Sequence, residues 1–213
     1  MENRLPVARE GLAFILTPLL VGGGLMFAGL TWLALLSLAF GLFSTWFFRD
    51  PERTPPPDES AILSPADGTI IDISETEENQ SLGTKALKIS IFMSIFNVHV
   101  NRAPLSGTIE EIKYFPGKFF SANLDKASRE NEHNFIVLRA SGEARIAFVQ
   151  IAGLVARRIA CWISPDEKVV RGQRIGLIRF GSRLDVYLPL ATKLKVKQKT
   201  KVQAGQSILG YLP

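Results

Sequence analysis

The chain has 213 residues, of which 46% are hydrophobic, and a formal net charge of +5 at pH 7. Its length allows one sizeable core, and its charge suits an anionic partner, either nucleic acid or an anionic lipid surface. A single cysteine, Cys161, excludes an intramolecular disulfide and a zinc site made of several cysteines from one chain. Because Cys161 lies in the apolar stretch 159–163, we interpret it as a small core residue rather than a nucleophile.

The N-terminal part of the chain carries no Asp, Glu, Lys or Arg from Gly11 to Phe48. This run is about twice the length that a single helix needs to cross a bilayer. Pro18 and the triplet Gly22-Gly23-Gly24 interrupt it, which favours a hairpin of two short helices over the alternative of one long tilted span. Residues 1–50 are therefore predicted to be a membrane segment.

Arginines flank this segment on both sides, Arg4 and Arg9 before it and Arg49 and Arg53 after it. Cytoplasmic flanks of membrane segments are enriched in Lys and Arg, so both ends are predicted to be cytoplasmic. This pattern predicts a protein anchored in the cell (inner) membrane, with its remaining domain on the cytoplasmic side.

Residues 51–60 contain Pro55-Pro56-Pro57 and are predicted to be a stiff, extended linker. Beyond it, residues 61–213 show β-branched runs of strand length that are punctuated by Gly and Pro. One short helix is predicted, around Ala122 to Arg129. The sequence therefore predicts a mainly β, compact sandwich-like or barrel-like domain that follows a transmembrane helical hairpin.

Lysines alternate with other residues between positions 193 and 201, as on one face of a strand. No aromatic residues accompany them to stack on bases, so a nucleic-acid partner is not predicted. A solvated strand face and a lipid-facing patch remain the two interpretations of these lysines.

Residues 168–176 resemble residues 201–208, at a spacing of about 33 residues. Each stretch predicts a strand, a Gly-Gln turn and a second strand, either as paired halves of a β-sandwich or as two unrelated hairpins. The same pattern suggests one rival function, a membrane-tethered, lipoyl-like carrier domain that displays a modifiable lysine and remains a single chain.

Two histidines, His99 and His133, are the side chains best suited to acid or base catalysis near neutral pH. Neither lies in an H-E-x-x-H or similar spacing, so no metal site is predicted. Asp67 precedes a glycine at the start of a strand, and Ser182 follows Gly181 without a G-x-S-x-G pattern. A serine hydrolase that uses Asp67, His99 and Ser182 on an external ester is a second rival hypothesis.

Six short motifs follow one another over nearly the whole chain. They are Phe48-Arg49-Asp50-Pro51-Glu52-Arg53, Ser64-Pro65-Ala66-Asp67-Gly68, Phe96-Asn97-Val98-His99, Phe115-Pro116-Gly117, Asn131-Glu132-His133-Asn134 and Phe180-Gly181-Ser182. Taken together and in this order, they resemble the successive landmarks of the phosphatidylserine decarboxylase family. The length and the N-terminal segment resemble the short bacterial and archaeal branch of that family.

The chain departs from the pattern of the family at three places, two of them in comparison with its long members. Arg183 follows the Gly-Ser junction where those members have threonine, and Phe96 and Asn97 stand where they have a second histidine. His133 falls where many members have arginine, so we rank it as a possible secondary site residue only.

The resemblance implies a proenzyme that makes its own cofactor. The Ser182 hydroxyl would attack the Gly181 carbonyl, with His99 as the base and Asp67 orienting its imidazole. Elimination would then cleave the chain between residues 181 and 182 and leave a pyruvoyl group derived from Ser182. Such a group suits decarboxylation of an amino acid, because it supplies the electron sink that ordinary side chains lack.

The implied reaction converts phosphatidylserine to phosphatidylethanolamine and CO2 through a Schiff base with the pyruvoyl group. His99 is expected to serve again by protonating the α-carbon. The large chain (1–181) and the small chain (182–213) are expected to stay associated at the membrane, and the sequence is compatible with a homo-oligomer. An archaeal ether-linked serine phospholipid is the alternative substrate.

Overall fold

The structure is a computed structural model that describes residues 6–78, 84–118, 120, 130–140, 144–153, 158–179 and 181–213. The chain divides into two compact units, Met1–Glu52 and Arg53–Pro213. The short helix predicted around 122–129 lies outside the described residues.

The first unit contains a 3-10 turn, Arg9–Gly11, and two α-helices, α1 (Leu12–Phe27) and α2 (Thr31–Phe47). By length and composition, the helical stretch Arg9–Phe27 is long and apolar enough to cross a membrane. Large apolar side chains point outward on this unit, including Phe27 (98% exposed) and Trp32 (81%).

Helices α1 and α2 pack against each other in antiparallel fashion. The Ser37 hydroxyl donates a 2.8 Å hydrogen bond to the Pro18 carbonyl, and a Cβ at Gly22 would lie 2.7 Å from the Leu38 side chain. The predicted interruption at Pro18 and the glycine triplet is wrong, since α1 runs through both and ends at Phe27. Close helix packing at Gly22 outweighs the low helix propensity of glycine.

The second unit is mainly β, as predicted, and its largest sheet curls into half a barrel. The described strands are β1 (Ala61–Leu63), β2 (Gly68–Glu78), β3 (Thr84–Met93), β4 (Val100–Arg102), β5 (Gly107–Phe115), β6 (His133–Ala140), β7 (Arg145–Ala152), β8 (Ile159–Cys161), β9 (Lys168–Val169), β10 (Arg174–Ile178), β11 (Ser182–Pro189), β12 (Lys193–Leu194), β13 (Lys201–Val202) and β14 (Ile208–Tyr211).

Three sheets are formed by these strands. The large sheet has the order β13-β2-β3-β11-β7-β6-β5-β9, and the two small sheets have the orders β1-β14-β12 and β4-β10-β8. Neighbouring strands are antiparallel throughout. Cys161 is exposed, so its assignment to the core is wrong. It lies at the end of β8, an edge strand of its sheet.

The main core lies on one face of the large sheet. Side chains alternate between faces along a strand, so Leu184 and Val186 of β11 point into this core, together with Ile91 of β3 and Phe148 of β7. Ser182 shares the alternation of Leu184 and therefore faces the same side. A second apolar cluster around Val149 and Ile151 covers the opposite face.

The two repeated stretches have the same local form. Gly172 and Gly205 both have positive φ angles, 81° and 72°, and a Cβ at Gly205 would lie 3.6 Å from the Gly172 Cα. The two turns therefore lie side by side. The strands of each stretch enter different sheets, so neither stretch forms the predicted hairpin.

A buried ion pair lies on the opposite face of β11 from Ser182. Arg183 Nε donates to Asp185 Oδ1 at 2.6 Å, and Arg183 Nη2 donates to Ser90 Oγ at 2.7 Å. The side chains of Arg183 and Asp185 are 1% and 0% exposed. Breaking one partner of such a pair is costly, because a charge is left buried without its counterion.

Replacing Arg183 by Met should therefore lower the thermal unfolding midpoint by about 10 °C in a chain of this size. The double variant Arg183→Met/Asp185→Leu should recover most of that loss, because neither charge remains. Thermal unfolding of the full chain in detergent measures both effects. A double variant as unstable as the single one would show that packing, not charge, sets the cost.

Candidate active site

The Gly181–Ser182 junction lies at the start of β11. Ser182 is fully buried and is paired with Met93 of β3 and Ala152 of β7. Gly181 has a φ of 75°, a conformation that glycine adopts without the cost that other residues incur. A Cβ at Gly181 would meet no described atom within 4 Å. The backbone angle, rather than lack of space, therefore favours glycine here.

His99 lies directly at this junction. The imidazole is fully buried, and its Nε2 is 3.4 Å from the Gly181 backbone nitrogen, which donates to it. Its Nδ1 is 3.0 Å from the Asn97 carbonyl oxygen. A carbonyl only accepts hydrogen bonds, so Nδ1 carries the proton in the neutral ring and Nε2 presents its lone pair to the junction.

A short turn fixes the Asn97 carbonyl that holds this tautomer. The Asn97 side-chain oxygen accepts hydrogen bonds from the Ser94 nitrogen at 2.9 Å and the Ser94 hydroxyl at 2.8 Å. The Asn97 nitrogen donates to the Ser94 carbonyl at 2.9 Å. Sequence reasoning treated Asn97 only as a departure from the long family members, although Ser and Asn three residues apart are a usual turn signal.

The Ser182 hydroxyl donates to the Met93 sulfur at 3.3 Å. A thioether is a weak acceptor, so this contact positions the hydroxyl without holding its proton strongly. Sequence reasoning missed Met93, since no local pattern connects it with a serine 89 residues away.

Asp67 lies in a separate cluster with Arg53. The Arg53 guanidinium binds both carboxylate oxygens, at 2.5 and 2.8 Å, and the Ala204 nitrogen donates to Asp67 Oδ1 at 2.8 Å. Arg53 also donates to the Ala204 carbonyl at 2.8 Å. These bonds tie residue 67 to the turn at Gly205. None of them reaches the imidazole, so the orienting role of Asp67 stays a prediction.

In the sequence, Arg53 stands out only as the last residue of a landmark motif and as an arginine that flanks the membrane segment. Its pairing with Asp67 is nearly buried, with 7% and 9% of the two side chains exposed. A bidentate pair of this kind is among the stronger charge-assisted interactions in proteins.

His133 lies away from the junction. Its ring stacks on Phe115, with the ring centroids 4.7 Å apart, and its Nδ1 is 2.7 Å from the Asn131 carbonyl oxygen. His133 is paired with Ile151, and Ile151 is paired with Arg183. It therefore points to the face of the sheet opposite to Ser182.

The structure thus brings together three of the residues predicted from sequence, His99, Gly181 and Ser182. It places an imidazole nitrogen that accepts a hydrogen bond from Gly181, a hydroxyl and a peptide bond in one buried site. These are the groups that an attack of serine on its own backbone requires.

Comparison with known proteins agrees with this geometry. A family model described as phosphatidylserine decarboxylase matches residues 40–210. The chain is 51% identical to the phosphatidylserine decarboxylase proenzyme of Syntrophus aciditrophicus, with 99% of both chains covered. It is 50% identical to the proenzyme of Desulfotalea psychrophila, with 100% of this chain and 99% of the relative covered.

The chain belongs to the phosphatidylserine decarboxylase family. The proenzyme of Pelobacter propionicus, 50% identical with both chains covered in full, extends the same result. The family membership predicted from the landmarks is therefore confirmed. Neither the carrier-domain hypothesis nor the external-ester hydrolase gains support from these relatives.

Proposed function

We propose that this chain is a self-processing proenzyme that becomes a decarboxylase of phosphatidylserine and releases phosphatidylethanolamine and CO2. The observation that carries the proposal is the contact between the buried His99 imidazole and the Gly181–Ser182 junction. Relatives with about half of their residues identical are named as proenzymes of this decarboxylase.

Self-cleavage begins with the Ser182 hydroxyl and the Gly181 carbonyl carbon. As the new C–O bond forms, the hydroxyl proton passes to His99 Nε2. The Gly181 N–H that now donates to this nitrogen must release it first. The C–N bond of the junction then breaks, and the Ser182 nitrogen takes up the proton. The product is an ester between residues 181 and 182.

Cleavage is completed by elimination. Loss of the Ser182 α-proton expels the Gly181 carboxylate and leaves dehydroalanine, which tautomerises and reacts with water to give a ketone and ammonia. The new chain end at residue 182 is then a pyruvoyl group. The site fits this group, since Ser182 is buried at the first position of a strand that is hydrogen-bonded on both sides.

A pyruvoyl group there would supply a ketone for the substrate amine and a neighbouring carbonyl that accepts electrons as CO2 leaves. His99 contacts the neighbouring Gly181 nitrogen at 3.4 Å, which makes it the candidate for returning a proton to the α-carbon. Asp67 and Arg53 hold the neighbouring turn, and the small chain is retained through β11, β13 and β14, which pair with strands of the large chain.

We further propose that residues 1–50 anchor the protein in the cell (inner) membrane and that the second unit lies on the cytoplasmic side. The exposed apolar side chains of α1 and α2 support this anchor. A substrate with two acyl chains remains in the bilayer, so an anchored enzyme meets it at high local concentration.

Ser182→Ala should give one uncleaved, inactive chain, because the attacking hydroxyl is lost. The wild type should give two fragments, with the smaller one, residues 182–213, beginning with a pyruvoyl group. Intact-mass spectrometry measures both. The exposed Ser164→Ala serves as the control and should be cleaved normally. A folded wild type that remains a single chain would refute the proposal.

His99→Ala should slow cleavage by at least about 10²-fold, as expected for loss of a general base. His133→Ala should be cleaved at the wild-type rate, because its ring lies on the opposite face of the sheet. The fraction cleaved over time after cell-free synthesis gives both rates. The reverse pattern would assign the base to His133.

A double-mutant cycle tests the role of Asp67. If Asp67 acts through Arg53, then Asp67→Asn, Arg53→Met and the combined variant should all slow cleavage to a similar degree, because the pair works as one unit. Cleavage rates are compared below the unfolding temperature of the weakest variant. A slow Asp67→Asn beside a normal Arg53→Met would instead support direct orientation of His99.

A further inference from the structure

A line of three buried amide side chains leads to the site. Asn134 Nδ2 donates to Gln150 Oε1 at 3.2 Å, and Gln150 Nε2 donates to Asn101 Oδ1 at 2.8 Å. Asn101 Nδ2 in turn donates to the Met93 sulfur at 3.8 Å. Asn101 and Gln150 are fully buried, and Asn134 is 3% exposed. Every donor in this amide line points towards Met93.

The line ends on a poor acceptor. A thioether sulfur accepts hydrogen bonds weakly, and a buried N–H without a good acceptor is costly. Hydrogen bonding along the line polarises the last N–H further. Packing alone would be served better by an apolar residue at position 101. The Asn101 amide therefore has donor capacity that the uncleaved chain does not use fully.

That unused donor lies beside the nucleophile. The Met93 sulfur that accepts from Asn101 also accepts from the Ser182 hydroxyl. When the hydroxyl attacks, Ser182 Oγ becomes bonded to the Gly181 carbonyl carbon. The carbonyl oxygen on that same carbon then gains negative charge. His99 directly precedes β4 and Asn101 lies two residues further along, so alternation along the chain puts their side chains on the same side. His99 contacts Gly181 there, and Asn101 contacts Met93.

We infer that Asn101 is a further catalytic residue, whose Nδ2–H binds the oxyanion formed on the Gly181 carbonyl oxygen. This inference rests on the proposed self-cleavage. In that step the carbonyl π electrons move to the oxygen while the Ser182 proton moves to His99. The electrons on the oxygen re-form the carbonyl when the C–N bond breaks. Gln150 and Asn134 are positioning residues, because they hold the Asn101 amide with its nitrogen towards the junction.

Asn101→Leu tests the donor directly. It keeps the volume but removes the N–H, and cleavage of the full chain should slow by about 10²- to 10³-fold, as for loss of one oxyanion donor. Val100→Ala is the matched control. It removes buried volume next to Asn101 but no donor, and it should be cleaved at the wild-type rate even with a lower unfolding midpoint.

Hydroxylamine shows which step a substitution slows, because it cleaves esters. It restores cleavage when the elimination is slow, but not when formation of the ester is slow. Asn101→Leu should stay slow in hydroxylamine, since the oxyanion precedes the ester. Rapid cleavage of this variant in hydroxylamine would overturn the inference. If the wild type is cleaved and Asn101→Leu is cleaved equally fast, only this inference fails. An uncleaved wild type refutes the proposed function itself.

Gln150→Glu tests the positioning role without altering side-chain shape. An ionised Glu cannot donate to Asn101 Oδ1, so the Asn101 amide should turn its oxygen towards the junction and slow cleavage. A protonated Glu can donate, and burial raises a carboxyl pKa. Cleavage should therefore recover as the pH falls from 8 to 6, which a purely structural defect would not produce. A flat pH profile relative to wild type would contradict the role.

Discussion

Strand β11 lies between β3 and β7, and the rest of the site depends on this double pairing. Eight residues of β11 are paired with β3, and six are paired with β7. The first of them is Ser182, so the proposed nucleophile has the positional precision of a central strand rather than the freedom of a loop. The same hydrogen bonds would keep residues 182–213 in place after the proposed cleavage, because they do not pass through the peptide bond between residues 181 and 182.

A central strand alone does not make a peptide bond reactive. Gly181 adopts a φ of 75°, and its N–H donates to His99 Nε2. The tautomer of His99 is in turn set by the Asn97 carbonyl, through the side-chain bonds of the turn from Ser94. The contact at Nδ1 of His99 therefore comes from a local turn.

Two buried carboxylates in the second unit are each paired with an arginine. Asp67 pairs with Arg53, and Asp185 pairs with Arg183, each with little or no exposure. Such pairs add little net stability, but loss of one partner is severe. Their positions give them a further role, since Asp67 joins the turn at Gly205 and Arg183 secures the strand that begins with Ser182.

The sequence by itself determined the class of the fold, the apolar N-terminal segment and the family, because periodicity, charge-free runs and ordered landmarks are local properties of the chain. It also named His99, Gly181 and Ser182 as candidate site residues, and the structure brings these three together. Only the tertiary structure decided that Asp67 binds Arg53, that Ser182 and Asn101 both contact Met93, that α1 continues through Pro18 and that Cys161 is exposed. These features come from strands or helices that meet across long separations, and their energies depend on packing and burial that no local pattern encodes.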